Sequence, residues 1–393
     1  MRVPPTLRWI LLATSYALVA ALAVHLTLQW VPGQSTPLRS DFPRRLAAEE
    51  RDSLNEYRFF YATNRPPMSD LIGDAAAERS DSLSFGTFQA SVSPRIAVQP
   101  SVWLDREFLR VLEPNNAAPA AFFREMKGEM ERSPDRSVLV VVWGWKERWA
   151  TAAAKTAYLA YMLDIDTPVA MFDWPANQGT NARGYLAARE AAHASAGDLG
   201  SFLAGIIEHV RPDNLWLVAM SMGSQLACDS LDHLVVAPGL GDAEKEIAHV
   251  VLVAPDVATG EFDAKFAAQV SSLSRYLTVY VSSTDQALLL SQWLNRRSRL
   301  GRVEKARPQD PGEVQFAHAG RLLALESAGS REIDVVDVTP INRHRNRHNF
   351  LTDDPEFLDE LYSRLLGPGQ ATSRRLYPVR SDAGAVYWIL WDQ

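Results

Sequence analysis

Leu215-Trp216-Leu217-Val218-Ala219-Met220-Ser221-Met222-Gly223-Ser224-Gln225 is the stretch that decides the fold. Leu215–Met220 is a short apolar run entered through the turn-prone pair Asp213-Asn214, which predicts a buried strand. From Met222 the pattern becomes helical, with Met222, Leu226, Leu231 and Leu234 on or near one face and Asp229 and Asp232 on another. Strand, sharp turn with a serine at its tip, then helix is the pattern of a nucleophile elbow. Small residues must flank that serine because backbone passes close on both sides. The usual Gly-x-Ser-x-Gly is written here as Ala219-Met220-Ser221-Met222-Gly223. Taken alone, the five residues also suit an ordinary tight turn, so the surrounding chain must decide.

Outward from the elbow, the chain is regular from Ser137 on. Val138–Trp143, Pro168–Trp174, Leu215–Met220, His249–Ala254, Leu277–Ser282 and Ile333–Val338 are short, apolar and rich in β-branched residues. Helical patterns lie between most of them: Glu147–Leu163, Arg183–Val210, Met222–Val236 and Gln286–Arg297, with Pro355–Leu366 after the last strand. The alternation predicts an α/β fold with a mostly parallel sheet and helices on both faces. Tyr57–Thr63 and Phe85–Val92 are expected to open the fold as antiparallel strands. Arg302–Ala319 is a charged insertion, and Val386–Trp391 is an apolar ending expected to form an edge strand or a membrane-facing patch.

Trp9–Val31 is an essentially uncharged stretch of 23 residues closed by Pro32-Gly33. At about 1.5 Å per helical residue it is long enough to span a bilayer. A cleaved signal peptide with its motif at Ala21-Leu22-Ala23 is the competing reading, but the apolar run continues to Val31, which favours an uncleaved anchor. The expected organisation is a flank (1–8), a transmembrane anchor (9–31), a linker (32–55), a catalytic domain (56–370) and a tail (371–393). Arg2 and Arg8 precede the anchor while Arg39, Arg44 and Arg45 follow it, so charge orients it weakly. The catalytic domain is expected outside the cytoplasm, on the periplasmic side. A net charge of −7 and the lack of a dominating basic tract argue against nucleic-acid binding. A single cysteine, Cys228, rules out an intramolecular disulfide framework, and no zinc-binding pattern occurs, so neither metal nor cofactor is expected.

In open parallel sheets, reactive groups collect at the carboxyl ends of the strands. After the strand that follows Ser221 stands Asp256, after the next Asp285, and after the last His344 and His348. The order Ser, Asp, His is that of the α/β-hydrolases. A serine hydroxyl needs a histidine to take its proton, and the histidine needs a carboxylate to fix its tautomer. Asp285 is preferred as the carboxylate because it opens a strand-to-helix loop two strands beyond the elbow. Asp256, after Pro255, suits a helix cap or a loop-fixing bond. His348 is preferred to His344 because Phe350 and Leu351 follow it. His193, His209, His233 and His249 lie inside helices or at a strand start, where surface or core roles are usual. The oxyanion hole is expected from the N–H groups of Met222 and of Gly144 or Trp145.

These pieces together resemble a bacterial α/β-hydrolase family of largely unassigned activity. Its Tyr-Ala-Thr-Asn-Arg strand, His-Gly-Phe-Asn loop, Trp-Pro segment, His-Ser-Met-Gly elbow and late Gly-His correspond to Tyr61–Arg65, Trp143–Lys146, Phe172–Pro175, Met220–Gly223 and Arg347-His348. Ala254–Asp256 and Tyr280–Leu288 also fit, and the resemblance runs over Tyr57–Leu366. Trp143, Met220 and Lys146 replace two histidines and an asparagine of that pattern, leaving a pocket bordered by Trp143 and Met220. With the anchor expected from Trp9–Val31, the Ser-Asp-His order and the resemblance together imply a membrane-anchored serine hydrolase acting on an ester or related acyl bond. The rival readings are a catalytically silent fold kept as an envelope scaffold, and a lipase-like enzyme drawing its substrate from the bilayer.

Overall fold

A computed structural model describes residues 49–51, 54–66, 78–112, 114–235, 246–302, 333–343, 346–366, 376–380 and 386–391. Chain contacts separate Met1–Ser35 from Thr36–Gln393, and every element below belongs to the second unit. Among the described residues no helix is long and apolar enough to cross a membrane. The expected anchor, Trp9–Val31, lies outside them, as does His344.

Among the described residues, thirteen strands form one sheet. They are β1 (Glu49–Arg51), β2 (Leu54–Thr63), β3 (Ser84–Val92), β4 (Leu109–Val111), β5 (Asn115–Ala117), β6 (Ser137–Val142), β7 (Val169–Asp173), β8 (Asn214–Met220), β9 (Ile247–Val253), β10 (Ser274–Val281), β11 (Ile333–Asp337), β12 (Leu376–Arg380) and β13 (Val386–Leu390). The main path runs β12-β13-β11-β10-β9-β8-β6-β7-β2-β3-β4, with β1 on β2 and β5 on β3. From β13 to β2 every neighbouring pair is parallel, and antiparallel pairs close both ends.

The central strands are apolar throughout because both sheet faces are covered. Alternate side chains go to opposite faces. Val138, Val140, Val142, Leu217 and Ala219 join one apolar layer, with the helices Ala182–Ala194, Ala196–Gly205 and Met222–Val235. Leu139, Val141, Trp143, Val218 and Met220 join the other, with the helices Trp149–Leu163 and Pro355–Leu366. The expected α/β architecture is therefore present, with helices on both faces.

Some expected boundaries move. The single helix expected over Arg183–Val210 breaks at Ser195, whose hydroxyl turns back to Ala191 O at 2.7 Å, and it ends in a wide turn over Ile206–Val210. The helix Pro119–Met130 and the helical turns over Thr259–Leu273 are additional. The expected linker already pairs with the sheet at Glu49–Arg51. The tail completes the far edge: β13 lies between β11 and β12, so the edge strand is β12 rather than Val386–Trp391. Pro378 fits that place, since a residue without an N–H is tolerated on an edge.

Candidate active site

Strand order reverses at β6, whose neighbours are β7 and β8. A crevice opens at such a switch point, outside the carboxyl ends of the strands. Trp143-Gly144 leaves β6 there and Ser221 leaves β8 beside it. Ser221 has φ 56°, a left-handed conformation that is costly for a residue with a side chain and that lifts the serine out of the strand. Its N–H donates to Val253 O at 2.9 Å, while its carbonyl accepts from Asp256 and Ser224, both at 3.0 Å. Two glycines make the close packing possible. A Cβ on Gly144 would lie 2.9 Å from Ser221 Cβ, and one on Gly223 would lie 2.6 Å from the carbonyl oxygens of Val142 and Trp143.

Asp285 is fully buried at the start of the helix Gln286–Asn295. One carboxylate oxygen accepts the Leu288 N–H at 2.8 Å, capping the helix, and the other lies 2.6 Å from His348 Nδ1. Asn342 ties the histidine loop down, donating to Ser282 Oγ at 2.9 Å and Arg347 O at 2.7 Å. Phe350 and Leu351 anchor it in the apolar layer that also holds Trp143 and Met220. Burial on its own pushes the His348 pKa down. The charge and hydrogen bond of Asp285, with a further pull from Asp256, outweigh that and raise it, against an opposing push from Lys155. Among the described residues Ser221 Oγ makes no hydrogen bond to His348. Such contacts are often loose in unliganded hydrolases.

Asp256 is not a helix cap. It is buried in a polar knot, accepting from Tyr185 Oη at 2.9 Å and from Ser291 Oγ at 2.5 Å, with Arg299 Nε at 3.3 Å. Burial raises its pKa against the pull of Arg299, Ser291 and Tyr185. The other histidines lie elsewhere: His193 pairs with Asp229 at 2.7 Å, and His249 is held near a pKa of about 3 by burial.

The loop after β6 is fixed from beneath. Arg65 and Asp173 form a buried pair at 2.7 Å, and the guanidinium also reaches Asn177 Oδ1 at 2.6 Å and Glu147 O at 3.1 Å. Trp174 Nε1 donates to Trp143 O at 2.9 Å. Lys146 has φ 75° and sets its ammonium 4.3 Å from the Trp145 ring centroid, and this partial burial lowers its pKa. Asparagine takes that backbone conformation more readily than lysine, so Lys146 holds it at a backbone cost. Trp143 turns its indole into the apolar layer, donating to Thr156 Oγ1 at 2.9 Å, with Lys155 Nζ 5.3 Å from the ring. Met220 is buried on the same face.

Residues 118–361, well over half of the 393, match the family described as "Alpha/beta hydrolase of unknown function (DUF900)". The chain belongs to this α/β-hydrolase family. Among solved structures, this α/β-hydrolase is similar to a zinc-bound, cold-adapted esterase from an Arctic intertidal metagenomic library. Identity is 13%, over 82% of this chain and 100% of the other, with a TM-score of 0.35. It is also similar to a lipase-esterase related protein from Clostridium acetobutylicum ATCC 824, at 11% identity over 49% of this chain and 91% of the other, with a TM-score of 0.25. Likenesses this low carry no functional argument. No curated protein matches the chain. Among the described residues of this hydrolase, no group of three or more His, Cys, Asp or Glu side chains is placed to hold a metal ion.

The Asp256 knot, Asn342 and the Lys155–Glu147 pair at 2.5 Å were not singled out by sequence reasoning. Only Arg65 carried a signal, as the last residue of the Tyr61–Arg65 motif.

Proposed function

We propose that the protein is a membrane-anchored serine hydrolase that cleaves an ester or related acyl bond through an acyl-enzyme. The observation that carries this reading is the 2.6 Å pair of His348 Nδ1 and buried Asp285, on the loops after β11 and β10, with a strained Ser221 after β8 at the same end of the sheet. Ser221 Oγ attacks the acyl carbon while His348 Nε2 takes its proton. Asp285 fixes the tautomer with Nε2 free and stabilises the imidazolium. The negative charge developing on the acyl oxygen is met by the N–H of Met222 and that of Gly144 or Trp145. His348 then returns its proton to the leaving alcohol, and water repeats the sequence to release the acid. Trp143 and Met220, apolar where the family pattern has histidines, make the surroundings of the turn less polar, which favours acyl or aryl esters over highly polar substrates.

The test is labelling of the purified protein by a fluorophosphonate, with the adduct located by mass spectrometry, alongside hydrolysis of a short-chain activated ester. An adduct on Ser221, and turnover lost in Ser221→Ala at unchanged folding, support the enzyme. Turnover that survives Ser221→Ala, or a wild type that neither labels nor hydrolyses, leaves the scaffold reading.

A further inference from the structure

The helix Gln286–Asn295 begins at Asp285, so it forms part of the rim of the candidate site. Its inner face carries buried Leu288 and Ser291. Its outer face is apolar where a solvated helix would be polar: Leu289 is 50%, Leu290 48% and Trp293 74% exposed. At 100° per residue these three span an arc of about 100°, which exposed Gln286 also shares at the helix start. Past the helix end come exposed Arg296 and Arg297, with no acidic partner among the described residues. The loop carrying His348 adds exposed Arg343 and Arg347. This local positive charge occurs in a chain whose net charge is −7, so the rim differs in sign from the molecule as a whole.

Exposed leucines and a tryptophan flanked by arginines are the composition of an interfacial helix. The apolar side chains enter the acyl boundary, tryptophan sits at headgroup level, and guanidinium groups meet anionic headgroups. We propose that the outer face of Gln286–Asn295, with Arg296 and Arg297, docks on an anionic lipid bilayer and so holds the mouth of the site at the membrane surface. The inference rests on the membrane-bound reading of the chain but not on the chemistry of Ser221. The uncharged Trp9–Val31 stretch supplies the same phase to the same molecule, which favours lipid over a protein partner.

The test uses the full-length chain with Leu290→Cys, labelled by an environment-sensitive fluorophore and reconstituted into phosphatidylcholine vesicles with or without phosphatidylglycerol. Cys228 is buried and does not compete for the label. Glu107→Cys, exposed just before β4 at the opposite edge of the sheet, is the control. The Leu290 probe should brighten and shift to the blue only with the anionic lipid, reverse in high salt, and persist in Ser221→Ala. A basic side chain near an anionic leaflet contributes about 1 kcal/mol, or roughly fivefold in occupancy, so Arg296→Gln with Arg297→Gln should weaken docking by roughly ten- to thirtyfold. An equal response of the control overturns the proposal, as does no response. A probe already buried without lipid also overturns it: a concentration-dependent signal would assign the face to a second copy, and a concentration-independent one to another part of the chain. Because docking is read without turnover, its failure leaves the hydrolase reading standing.

Discussion

Two aspartates act on one imidazole, and their surroundings divide the work. Asp285 touches His348 directly, whereas Asp256 is committed to Tyr185, Ser291 and Arg299 and acts on the ring only through its charge. Asp285→Asn should lower kcat by roughly three to four powers of ten, because the amide stabilises the wrong tautomer. Asp256→Asn should act mainly on stability. It leaves the Arg299 guanidinium buried without a counter-charge, a loss of about 3–5 kcal/mol by denaturant unfolding. The reverse pattern, with Asp256→Asn silencing a folded protein and Asp285→Asn not, would overturn the assignment. The two also differ in pH dependence. His348 works as a base only when neutral and its pKa is raised, so kcat/KM should fall on acidification with a midpoint above the ordinary imidazole value of about 6.5. Removing the Asp256 charge should move that midpoint to lower pH. Ser221, Asp285 and His348 could be picked from sequence because each follows a strand. The knot around Asp256 could not, since Tyr185 and Arg299 reach it from distant parts of the chain.

Elements rather than single residues aim the donor loop. Arg65 leaves β2, Asp173 ends β7, and Glu147 follows the Trp143–Lys146 loop, so one guanidinium joins three strand ends beneath the expected oxyanion donors. Arg65→Met should reduce kcat more than it raises KM, because a displaced N–H weakens transition-state binding more than ground-state binding. A loss confined to stability, with kcat intact in the folded fraction, would make Arg65 purely structural. At the other end of the sheet, Arg364 is buried between Glu360, at 2.8 Å, and Asp334, tying the helix Pro355–Leu366 to β11. Arg364→Met should cost about 3–5 kcal/mol in denaturant unfolding without changing kcat. Long apolar strands and the elbow were legible because their periodicity is strong. The split at Ser195 and the turns over Thr259–Leu273 were not, since side-chain-to-backbone bonding and wide helical turns leave little periodic trace. Neither was β12, whose proline reads as a loop until β13 is there to pair with it.

At the scale of the molecule, sheet order and the proposed membrane attachment have to agree. The switch point between β6 and β8 fixes which end of the sheet carries the candidate site, and the apolar rim helix stands at that end. The parallel core followed from strand–helix alternation and the antiparallel opening from Tyr57–Thr63 and Phe85–Val92, while the far edge took shape only through the pairing of β12 with β13. The remaining expectation is the anchor. Trp9–Val31 is 23 residues long, and a helix of that length extends about 34 Å, enough for a hydrocarbon core of about 30 Å. An uncleaved anchor should keep the protein in the membrane fraction through high-salt and alkaline washes, whereas docking by the rim helix alone would be released by salt. The two attachments are thus separable on one preparation: salt should reverse the fluorescence response at Leu290 while the chain stays sedimentable. If N-terminal sequencing finds the mature chain starting near Val24, the stretch is a cleaved leader and any remaining attachment is the salt-sensitive one of the rim helix. A reporter fused after Gln393 should be active only on the periplasmic side, and activity on the cytoplasmic side would reverse the orientation while leaving the anchor in place.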